Sequence, residues 1–570
     1  MRISECVLSL ALTRFMEPSQ SAPSALERLP FNNLALKKLP VDDSDEPPEL
    51  SRTVPGACFS RIRTLQPLLR PRCVALSEPA LALLGLVAHD VLGDPLAPDY
   101  LSGSRLLPGS EPAAHCYCGH QFGLFAGQLG DGAVTYLGEV ETKDGRWEIQ
   151  VKGAGVTPYS RGGDGRKVLR SSIREFLCSE AMSSLGIPST RAASLVTSDL
   201  YVSRDPLSSG RDELSGVQGP SAGRHDIRSQ LLDYVVETFY PHVQRAHGNR
   251  KDRNMAFFRE VMMRTAKLVA QWQCVGFCHG VLNTDNMSIL GLTLDYGPFG
   301  FMDRFDPDFV CNGSDKRRRY SYRAQPSVCR WNLARLAEAL GPELNSAEAG
   351  SILDEFMPTY EIFYLSIMRK KLGLVTKEEA EDRELVSDLL RVMQNTGADF
   401  TNTFHLLSQV PWPEEGDDER TTVEPVVDLI LEQCASIEEL KVANKPTMED
   451  RELAMILSMA QTNPVMFGMV ADRPDVAQQL ELMGRLKELL ETDHNELKEK
   501  QRDDWIHWVK KYRRRLTREF DGTSDLSSVK RERCRVMKCN NPRVVLRNYI
   551  AQNAIRAAEN GDFSEVRQAL

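Results

Sequence analysis

The strongest constraint on the fold is a change in the spacing of apolar residues along the chain. Between residues 113 and 190, glycine-rich turns separate short segments in which apolar and polar residues alternate, and one helical segment follows. After about Trp331, apolar residues recur at every third or fourth position, as at Leu333, Leu336 and Leu340. Strands followed by a long helical part predict an α+β protein.

Composition excludes several classes of protein. Of the 570 residues, 42% are hydrophobic and 26% are charged, which is typical of globular proteins. Lys and Arg total 70 against 79 for Asp and Glu, and the resulting net charge of -9 gives a nucleic-acid partner no support. We interpret the basic runs Lys316–Arg319 and Lys510–Arg515 as solvated faces. No stretch reaches the roughly 18 apolar residues that a membrane span needs.

The cysteine pattern indicates neither a disulfide-linked nor a metal-binding scaffold. The 13 cysteines are scattered along the chain and form no CxxC pair, so we expect neither a disulfide framework nor a zinc site.

The sequence divides into four parts. Residues 1–53 are predicted to be a presequence and a flexible arm, because Met1–Met16 holds two arginines and one acid and is followed by a segment rich in Pro, Ser and Asp. The presequence predicts a mitochondrial protein, with an ordinary chain terminus as the alternative. Residues 54–200 should hold the strands and the first helix, residues 201–340 a buried helix and two acidic loops, and residues 341–570 a helical extension.

A glycine-rich turn precedes a hairpin that ends in a lysine. Gly127–Gly132 is followed by a predicted strand over Val134–Val140, a turn at Lys143–Gly145 and a second strand over Trp147–Lys152. Glycines allow the backbone to approach a phosphate chain closely, and Lys152 would supply a point charge beside it. Ordinary tight turns and an exposed strand end are the competing interpretations.

The first helix carries a candidate partner for that lysine. Its apolar spacing predicts a helix over Leu169–Leu185, and Glu175 lies 23 residues after Lys152. An ion pair between the two would hold the lysine on the phosphates of a nucleotide. Ser172 and Glu175 also fit a capping box, in which the same carboxylate would satisfy the helix N-terminus, and the sequence leaves both interpretations open.

Two acidic loops follow a second, buried helix. Apolar residues predict that helix over Asn254–Phe277, and the segment from His279 to Asn286 comes directly after it. The catalytic loop of protein kinases reads H-R-D-x-x-x-x-N and is followed by D-F-G. Here the step from histidine to asparagine is kept, the carboxylate stands at Asp285, and Asp295 opens an Asp-Tyr-Gly sequence.

Magnesium prefers oxygen ligands, and the two loops supply them. Asp285, Asn286 and Asp295, together with the oxygens of a triphosphate and water, could complete an octahedral shell. Taken with the lysine and the glycine-rich turn, these loops predict a magnesium-dependent nucleotide site.

The motifs together resemble one known family closely. They are His120–Gly123, Gly127–Gly132, Lys152–Gly155, Thr157–Arg161, Asp164–Gly165, Arg170–Phe176 and His279–Asp303. From about Leu29 to Leu570 the chain resembles the selenoprotein O family in its vertebrate form. The resemblance implies a protein-kinase-like bilobal fold with a large, mostly helical C-terminal extension, in which residues 54–200 and 201–340 form the N-lobe-like and C-lobe-like parts.

The resemblance also implies an activity and a location. Members of the family are mitochondrial in eukaryotes and transfer AMP from ATP to Ser, Thr or Tyr hydroxyls of proteins, with magnesium, or manganese in its place, and with release of diphosphate. It implies Asp285 as proton acceptor and Asn286 and Asp295 as metal ligands. The nucleotide-binding positions that it implies are Gly130, Gly132, Ala133, Lys152, Asp164, Gly165 and Asp295.

The chain departs from the family pattern at three places. Ala133 stands where many relatives have an arginine. Relatives carry two strands and two phosphate-binding arginines where this chain has only the connection from Asp205 to Gly219, so about 25 to 30 residues are missing. The family's selenocysteine tail is expected to be absent, because the sequence stops at Leu570.

The shortened connection keeps two other functions open. Loss of two central strands should leave open sheet edges and an incomplete adenine pocket, which favours a non-catalytic binding protein. An ordinary protein kinase is the other alternative.

Overall fold

The computed structural model describes residues 23–47, 52–63, 65–200, 202, 224–414, 416, 418–519 and 525–570. The predicted presequence Met1–Met16 and the shortened connection from Asp205 to Gly219 lie outside these residues. The described chain combines three sheets with many helices, which confirms the α+β class.

The strands lie almost entirely in the first third of the chain. They are β1 (Val41–Asp42), β2 (Phe59–Arg61), β3 (Arg72–Leu76), β4 (Ala113–Gln121), β5 (Leu124–Gly130), β6 (Val134–Thr142), β7 (Gly145–Lys152), β8 (Ser194–Thr197), β9 (Phe277–Cys278) and β10 (Gly300–Phe301).

The main sheet is mixed. Its strands run in the order β1-β2-β4-β6-β7, and β5 pairs with β4. The β1–β2 pair is parallel, whereas the other pairs of the sheet are antiparallel. Two smaller sheets pair β3 with β8 and β9 with β10.

Helices of the first 340 residues surround the sheets. They are α1 (Leu34–Lys38), α2 (Glu78–Leu83), α3 (Ala88–Gly93), α4 (Ala97–Leu101), α5 (Leu169–Ser184), α6 (Arg224–Phe239), α7 (Pro241–Ala246), α8 (Arg250–Cys274) and α9 (Gln325–Leu340).

The rest of the chain is helical. It contains α10 (Ser346–Asp354), α11 (Phe356–Lys371), α12 (Asp382–Thr396), α13 (Phe400–Leu406), α14 (Glu419–Leu431), α15 (Ile437–Ala443), α16 (Asp450–Thr462), α17 (Pro464–Ala471), α18 (Pro474–Glu491), α19 (His494–Thr517), α20 (Leu526–Asn540), α21 (Asn548–Glu559) and α22 (Ser564–Gln568). Short 3₁₀ turns occur at Thr284–Asn286, Tyr322–Ala324, Gly341–Glu343 and Leu407–Gln409.

Two large hydrophobic cores organise the molecule. One packs α5 and α8 against the main sheet, with Phe176, Phe258 and Trp272 fully buried. The other belongs to the helical extension and is built around Trp505 and Trp508 of α19. The first core follows the apolar spacing of the sequence, since the predicted helices differ from α5 and α8 by only a few residues at their ends.

The expected flexible arm is ordered from residue 23 to residue 47, contrary to the boundary predicted near residue 54. Leu26 and Leu29 are buried in a small core with α2 and α4. The backbone N–H of Asn32 donates to the carbonyl of Glu139 in β6, and the N–H of Ala35 donates to the Glu139 carboxylate, both at 2.7 Å. Composition predicted an arm, but a few apolar side chains and these hydrogen bonds attach the segment to the sheet.

The main sheet ends in an open edge at β7. Among the described residues, β7 pairs only with β6, and β8 pairs only with β3. The strand that carries Lys152 is therefore an edge strand, and residues of β7 and β8 line a common cavity. The shortened connection predicted open sheet edges of this kind. No described strand lies between β7 and β8.

Candidate active site

A cavity of about 1100 Å³ lies between the open edge of the sheet and the two acidic loops. Its walls include Lys152, Glu175, Asp285, Asn286 and Asp295. Residues that are up to 143 positions apart in the sequence thus meet in one space. Apolar side chains, among them leucines of α2 and α4, line the part of the cavity next to β8.

Lys152 joins the helix and the second acidic loop. Its Nζ lies 2.7 Å from Oε1 of Glu175 and 2.8 Å from Oδ1 of Asp295. Although burial opposes its charge, the two carboxylates raise the pKa of Lys152, which stays protonated. The capping box does not form, because α5 begins at Leu169 after Val168, which makes no side-chain cap. The carboxylate of Glu175 therefore contacts the lysine.

Asp285 differs from the other acidic groups of the cavity. Its Oδ1 is buried and has no hydrogen-bond partner among the described residues, while Oδ2 lies 3.4 Å from Nε2 of Gln121. Burial raises the pKa of this carboxyl group, and the nearby charge of Asp295 adds to the shift. A carboxylate with a raised pKa and a free oxygen suits a proton acceptor.

His279 and Asn286 give the loops their shape. The imidazole of His279 is buried, and its Nε2 lies 2.9 Å from the carbonyl oxygen of Leu294, next to Asp295. Burial lowers the pKa of His279, so the ring is neutral and donates from Nε2. The side-chain amide of Asn286 donates to the carbonyl of Val281 at 3.1 Å, which leaves its oxygen available to a ligand.

Asp295 is held in an unusual backbone conformation. Its φ of 58° lies in the left-handed region, which non-glycine residues rarely adopt. Burial alone would raise its pKa, but the charge and hydrogen bond of Lys152 hold the pKa of Asp295 below its usual value. Asp295 is therefore ionised beside the lysine.

The glycine-rich turn contributes backbone to the wall of the cavity. Gly130 and Gly132 line it, and so does Ala133, whose carbonyl accepts the N–H of Gly153 at 2.7 Å. Gly130 has a φ of 157°, and a Cβ there would lie 2.3 Å from the ring of Tyr159. Close packing against Tyr159 thus accounts for this glycine without any ligand.

Asp164 and Gly165 are not part of the cavity wall. They lie between Arg161 and Lys167, which do line the cavity. The carboxylate of Asp164 accepts the N–H of Arg166 at 2.9 Å, so it shapes this turn. These two predicted nucleotide-binding residues lie beside the site: a Cβ at Gly165 would be 1.8 Å from the carbonyl oxygen of Gly155, three residues after Lys152.

Sequence reasoning assigned no role to several cavity residues. Tyr117, Asp131 and Arg161 line the cavity. Burial raises the pKa of Asp131, and the charge of Arg161 counteracts part of the rise in the pKa of Asp285. Arg161 ends the Thr157–Arg161 motif, and Tyr117 lies three residues before the His120–Gly123 motif. Their positions in the sequence did not indicate that either side chain would face the cavity.

The donor set fits a magnesium ion only together with a ligand. Within the described residues, no group of three or more His, Cys, Asp and Glu side chains could hold a metal ion. Two carboxylates and one amide, however, line the same cavity, and one oxygen of Asp285 is unpaired. Magnesium is commonly held by one or two carboxylates plus phosphates and water, so the residues fit a metal that arrives with a nucleotide.

This geometry defines a class of protein. A strand lysine paired with a helix glutamate, opposite a loop Asp-Asn pair and a further aspartate, is typical of enzymes that act on nucleotide phosphates. No helix within the described residues is long and apolar enough to cross a membrane.

Comparison with known proteins identifies the family. The family model for the protein adenylyltransferase SelO matches residues 72–213 and 221–570. A zebrafish (Danio rerio) relative, named protein adenylyltransferase SelO-1, mitochondrial, is 60% identical over 96% of this chain and 85% of its own length. The human protein adenylyltransferase SelO, mitochondrial, is 54% identical over 97% of this chain and 87% of its own.

Bacterial relatives are more distant. A Bordetella avium protein named protein nucleotidyltransferase YdiU is 45% identical over 67% of this chain and 78% of its own length. The chain therefore belongs to the SelO family of protein adenylyltransferases, which confirms the resemblance seen in the motifs. The names of the vertebrate relatives agree with the predicted mitochondrial location.

The alignments also bear on the shortened connection. The zebrafish alignment is 589 positions long, which exceeds the 570 residues of this chain. The alignment therefore contains positions at which the relative has a residue and this chain has a gap. The family match is interrupted between residues 213 and 221, inside the connection where the missing segment was predicted.

Proposed function

We propose that this chain transfers AMP from ATP to Ser, Thr or Tyr hydroxyls of protein substrates in the mitochondrion, on a protein-kinase-like bilobal fold. The single observation that carries the proposal is the contact of Lys152 with both Glu175 and Asp295 in the cavity that also contains Asp285. The family membership and the names of the relatives support the same activity.

Each residue has a distinct part in the proposed reaction. A substrate hydroxyl oxygen forms a bond to the α-phosphorus, and the bond between that phosphorus and the bridging oxygen to the β-phosphorus breaks. The bridging oxygen keeps the electron pair and leaves with diphosphate, and the hydroxyl proton passes to Asp285. Lys152, held by Glu175, neutralises charge on the phosphates.

Asn286 and Asp295 are the residues that would hold magnesium, or manganese in its place. When bound, the metal would supply positive charge that stabilises the departing diphosphate. Asp295 pairs with Lys152, and the phosphates of a bound nucleotide would compete with this carboxylate for the ammonium group.

Nucleotide contacts from Gly130, Gly132 and Ala133 would come from the backbone, because these residues line the cavity next to Lys152. Asp164 and Gly165 would act indirectly, through the turn that carries Arg161 and Lys167. Ala133 offers no cation where relatives have an arginine.

Labelled ATP tests the proposal. With α-labelled ATP, magnesium and a protein acceptor, the chain should label the acceptor, and the Asp295→Ala variant should not. Asp354→Ala, which removes an exposed carboxylate of α10 paired with Arg330, is the matched control and should keep full transfer. Label that enters protein only from the γ position would instead establish an ordinary protein kinase.

A second candidate is a non-catalytic binding protein that keeps the fold but cannot hold the triphosphate, which is favoured by the open edge that β7 forms among the described strands. An edge strand leaves the nucleotide base without a complete wall. A thermal shift separates the two functions: nucleotide at 100 times its Kd should stabilise the fold by about 2.7 kcal/mol. The absence of any shift with ATP and magnesium would support the second candidate.

A further inference from the structure

The basic run Lys316–Arg319, interpreted from sequence as a solvated face, lies beside exposed apolar side chains. At the turn of the β4–β5 hairpin, the exposed fractions of Phe122, Leu124 and Phe125 are 43%, 69% and 55%. A Cβ at Gly123 in the same turn would lie 3.1 Å from Cζ of Arg319, so the turn contacts the basic run. Apolar and cationic groups therefore share one surface.

This surface adjoins the proposed proton acceptor. The N–H of His120 donates to Oγ1 of Thr284 at 2.7 Å, and the N–H of Phe122 donates to the hydroxyl of Tyr320 at 2.8 Å. Gln121 contacts Asp285, and a Cβ at Gly119 would lie 3.1 Å from Oδ1 of Asp285. The hairpin turn is thus fixed to the loop that carries Asp285.

Two arginines are stacked on a tryptophan at this surface. The guanidinium carbons of Arg319 and Arg335 lie 4.6 and 4.9 Å from the ring centroid of Trp331, and the ring of His120 meets Trp331 at 5.4 Å. Stacking fixes the direction of both guanidinium groups. Their Nε atoms are buried and find no acceptor among the described residues, so the chain does not saturate either group.

The surface is locally basic on an acidic protein. Lys316 and Arg317 are exposed in the same turn as Arg319. Two carboxylates offset part of this charge. Buried Asp315 accepts the backbone N–H groups of Arg319 and Tyr320, and Glu338 pairs with the Arg335 side chain at 2.6 Å. Cations remain in excess, whereas the whole chain has a net charge of -9. Such a patch selects an anionic partner.

The apolar part of the surface favours a protein over a nucleic acid. Phe122 and Phe125 could stack on bases, but Leu124 is the most exposed of the three apolar side chains and is aliphatic, so bases would not stack on it. An exposed aliphatic side chain in a turn that contacts Arg319 suits a peptide that presents apolar and acidic side chains together. The docking surface is defined by Phe122, Leu124, Phe125, Arg319, Trp331 and Arg335.

We propose that the docking surface binds an acidic segment of the protein substrate that carries an apolar side chain close to the acceptor hydroxyl. The proposal rests on the proposed function, since the bound segment would deliver its hydroxyl to Asp285. It adds the chemical class of the substrate: acceptor sites flanked by Glu or Asp and an apolar residue.

Two synthetic acceptors test the proposal. Random copolymers of Glu with Tyr and of Lys with Tyr offer the same hydroxyl in opposite charge surroundings. With α-labelled ATP at low salt, the chain should label the Glu–Tyr copolymer at least about tenfold faster, and the preference should fall as salt screens the charges. Arg319→Glu should abolish the preference by raising KM for the Glu–Tyr copolymer while kcat changes little.

Controls separate docking from folding and from nucleotide binding. Arg531→Glu reverses the charge of an arginine that is 73% exposed on α20 and should keep the wild-type preference. Leu124→Ser should weaken docking without changing charge. In all three variants the thermal shift with ATP should match that of the wild type.

Binding is also measured without catalysis. Fluorescence anisotropy of a labelled Glu–Tyr copolymer should report binding by the wild type and its loss in Arg319→Glu. If the chain binds the copolymer but transfers no AMP, docking stands and the proposed function fails. Equal binding of both copolymers, an unchanged Arg319→Glu variant, or stronger binding of single-stranded DNA than of the copolymer at this surface each overturns the proposal.

Discussion

Two aspartates, fully buried Asp382 and partly buried Asp285, have pKa values shifted in opposite directions. Asp382 of α12 is fully buried in the helical extension, yet hydrogen bonds from Arg515 and Arg369 overcome the effect of burial and lower its pKa. Asp285 in the cavity forms no ion pair with the described residues, and burial raises its pKa although the charge of Arg161 counteracts part of the rise. Burial is common to both, and the partners decide the sign of the shift.

The comparison extends to the cations. Arg515 lies between Asp382 and Glu519 at 2.6 and 2.7 Å with a side chain that is 5% exposed. Lys152 lies between Glu175 and Asp295 at similar distances, but its side chain is 28% exposed and faces a cavity. An ion-pair network that is closed to solvent, like that of Arg515, holds helices together. A network that borders a cavity, like that of Lys152, can exchange a partner for a ligand. An ion cluster therefore indicates function only where it borders an accessible space.

The largest expected effect tests the open site. Asp285→Asn removes the proton acceptor but keeps the size of the side chain, so the rate of AMP transfer should fall by about 100- to 10,000-fold. The thermal shift with ATP and magnesium should be nearly unchanged, because the residue acts mainly in the transition state. Transfer at more than a tenth of the wild-type rate would remove Asp285 from its proposed part.

Loss of the buried ion pairs around Asp382 should lower the stability of the protein rather than its activity. Asp382→Ala leaves Arg515 and Arg369 without their common partner in the core, and we expect the free energy of unfolding to fall by about 3–5 kcal/mol. Urea denaturation monitored by the fluorescence of Trp505 and Trp508, which pack in the same core, measures the loss. Glu378→Ala, which removes an exposed partner of Arg369, is the control and should cost at most about 1 kcal/mol.

The Lys152→Met variant tests whether Lys152 binds nucleotide or, like Arg515, mainly supports the fold. The variant keeps the length of the side chain and removes its charge, so ATP should no longer stabilise the protein in a thermal-shift assay. The free energy of unfolding without nucleotide should change by less than about 1 kcal/mol, because the ion pairs of Lys152 are partly exposed to water. A large loss of stability with retained ATP binding would make Lys152 a structural residue like Arg515.

The smallest expected effect is on the pH profile. Asp285 must be ionised to accept a proton, and its pKa is raised, so transfer should decrease as the pH falls through a value above the ordinary aspartate range near 4. Asp382 has a lowered pKa, so its stabilising contribution persists until the pH falls below that ordinary range. Activity should therefore be lost at a higher pH than the fold, and coincident loss would contradict the assignment of opposite shifts.

Much of the site could be predicted from sequence. The strand β7 and the helices α5 and α8 have the periods that their sequences indicate, and their order made a lysine–glutamate contact one of two possibilities. The choice between ion pair and capping box could not be made, because one carboxylate fits both. The ordered segment from residue 23 to residue 47 was missed because its composition resembles a linker, while its order comes from contacts with distant β6.

The sequence by itself determined the α+β class, the family and the residue types of the candidate site, because these depend on local period and on motifs. Only the tertiary structure decided which charges face a cavity, and that a basic run from one part of the chain joins apolar residues of a hairpin nearly 200 positions earlier. Burial and partner distances depend on contacts between distant segments, and those contacts set the pKa values on which the proposed chemistry rests.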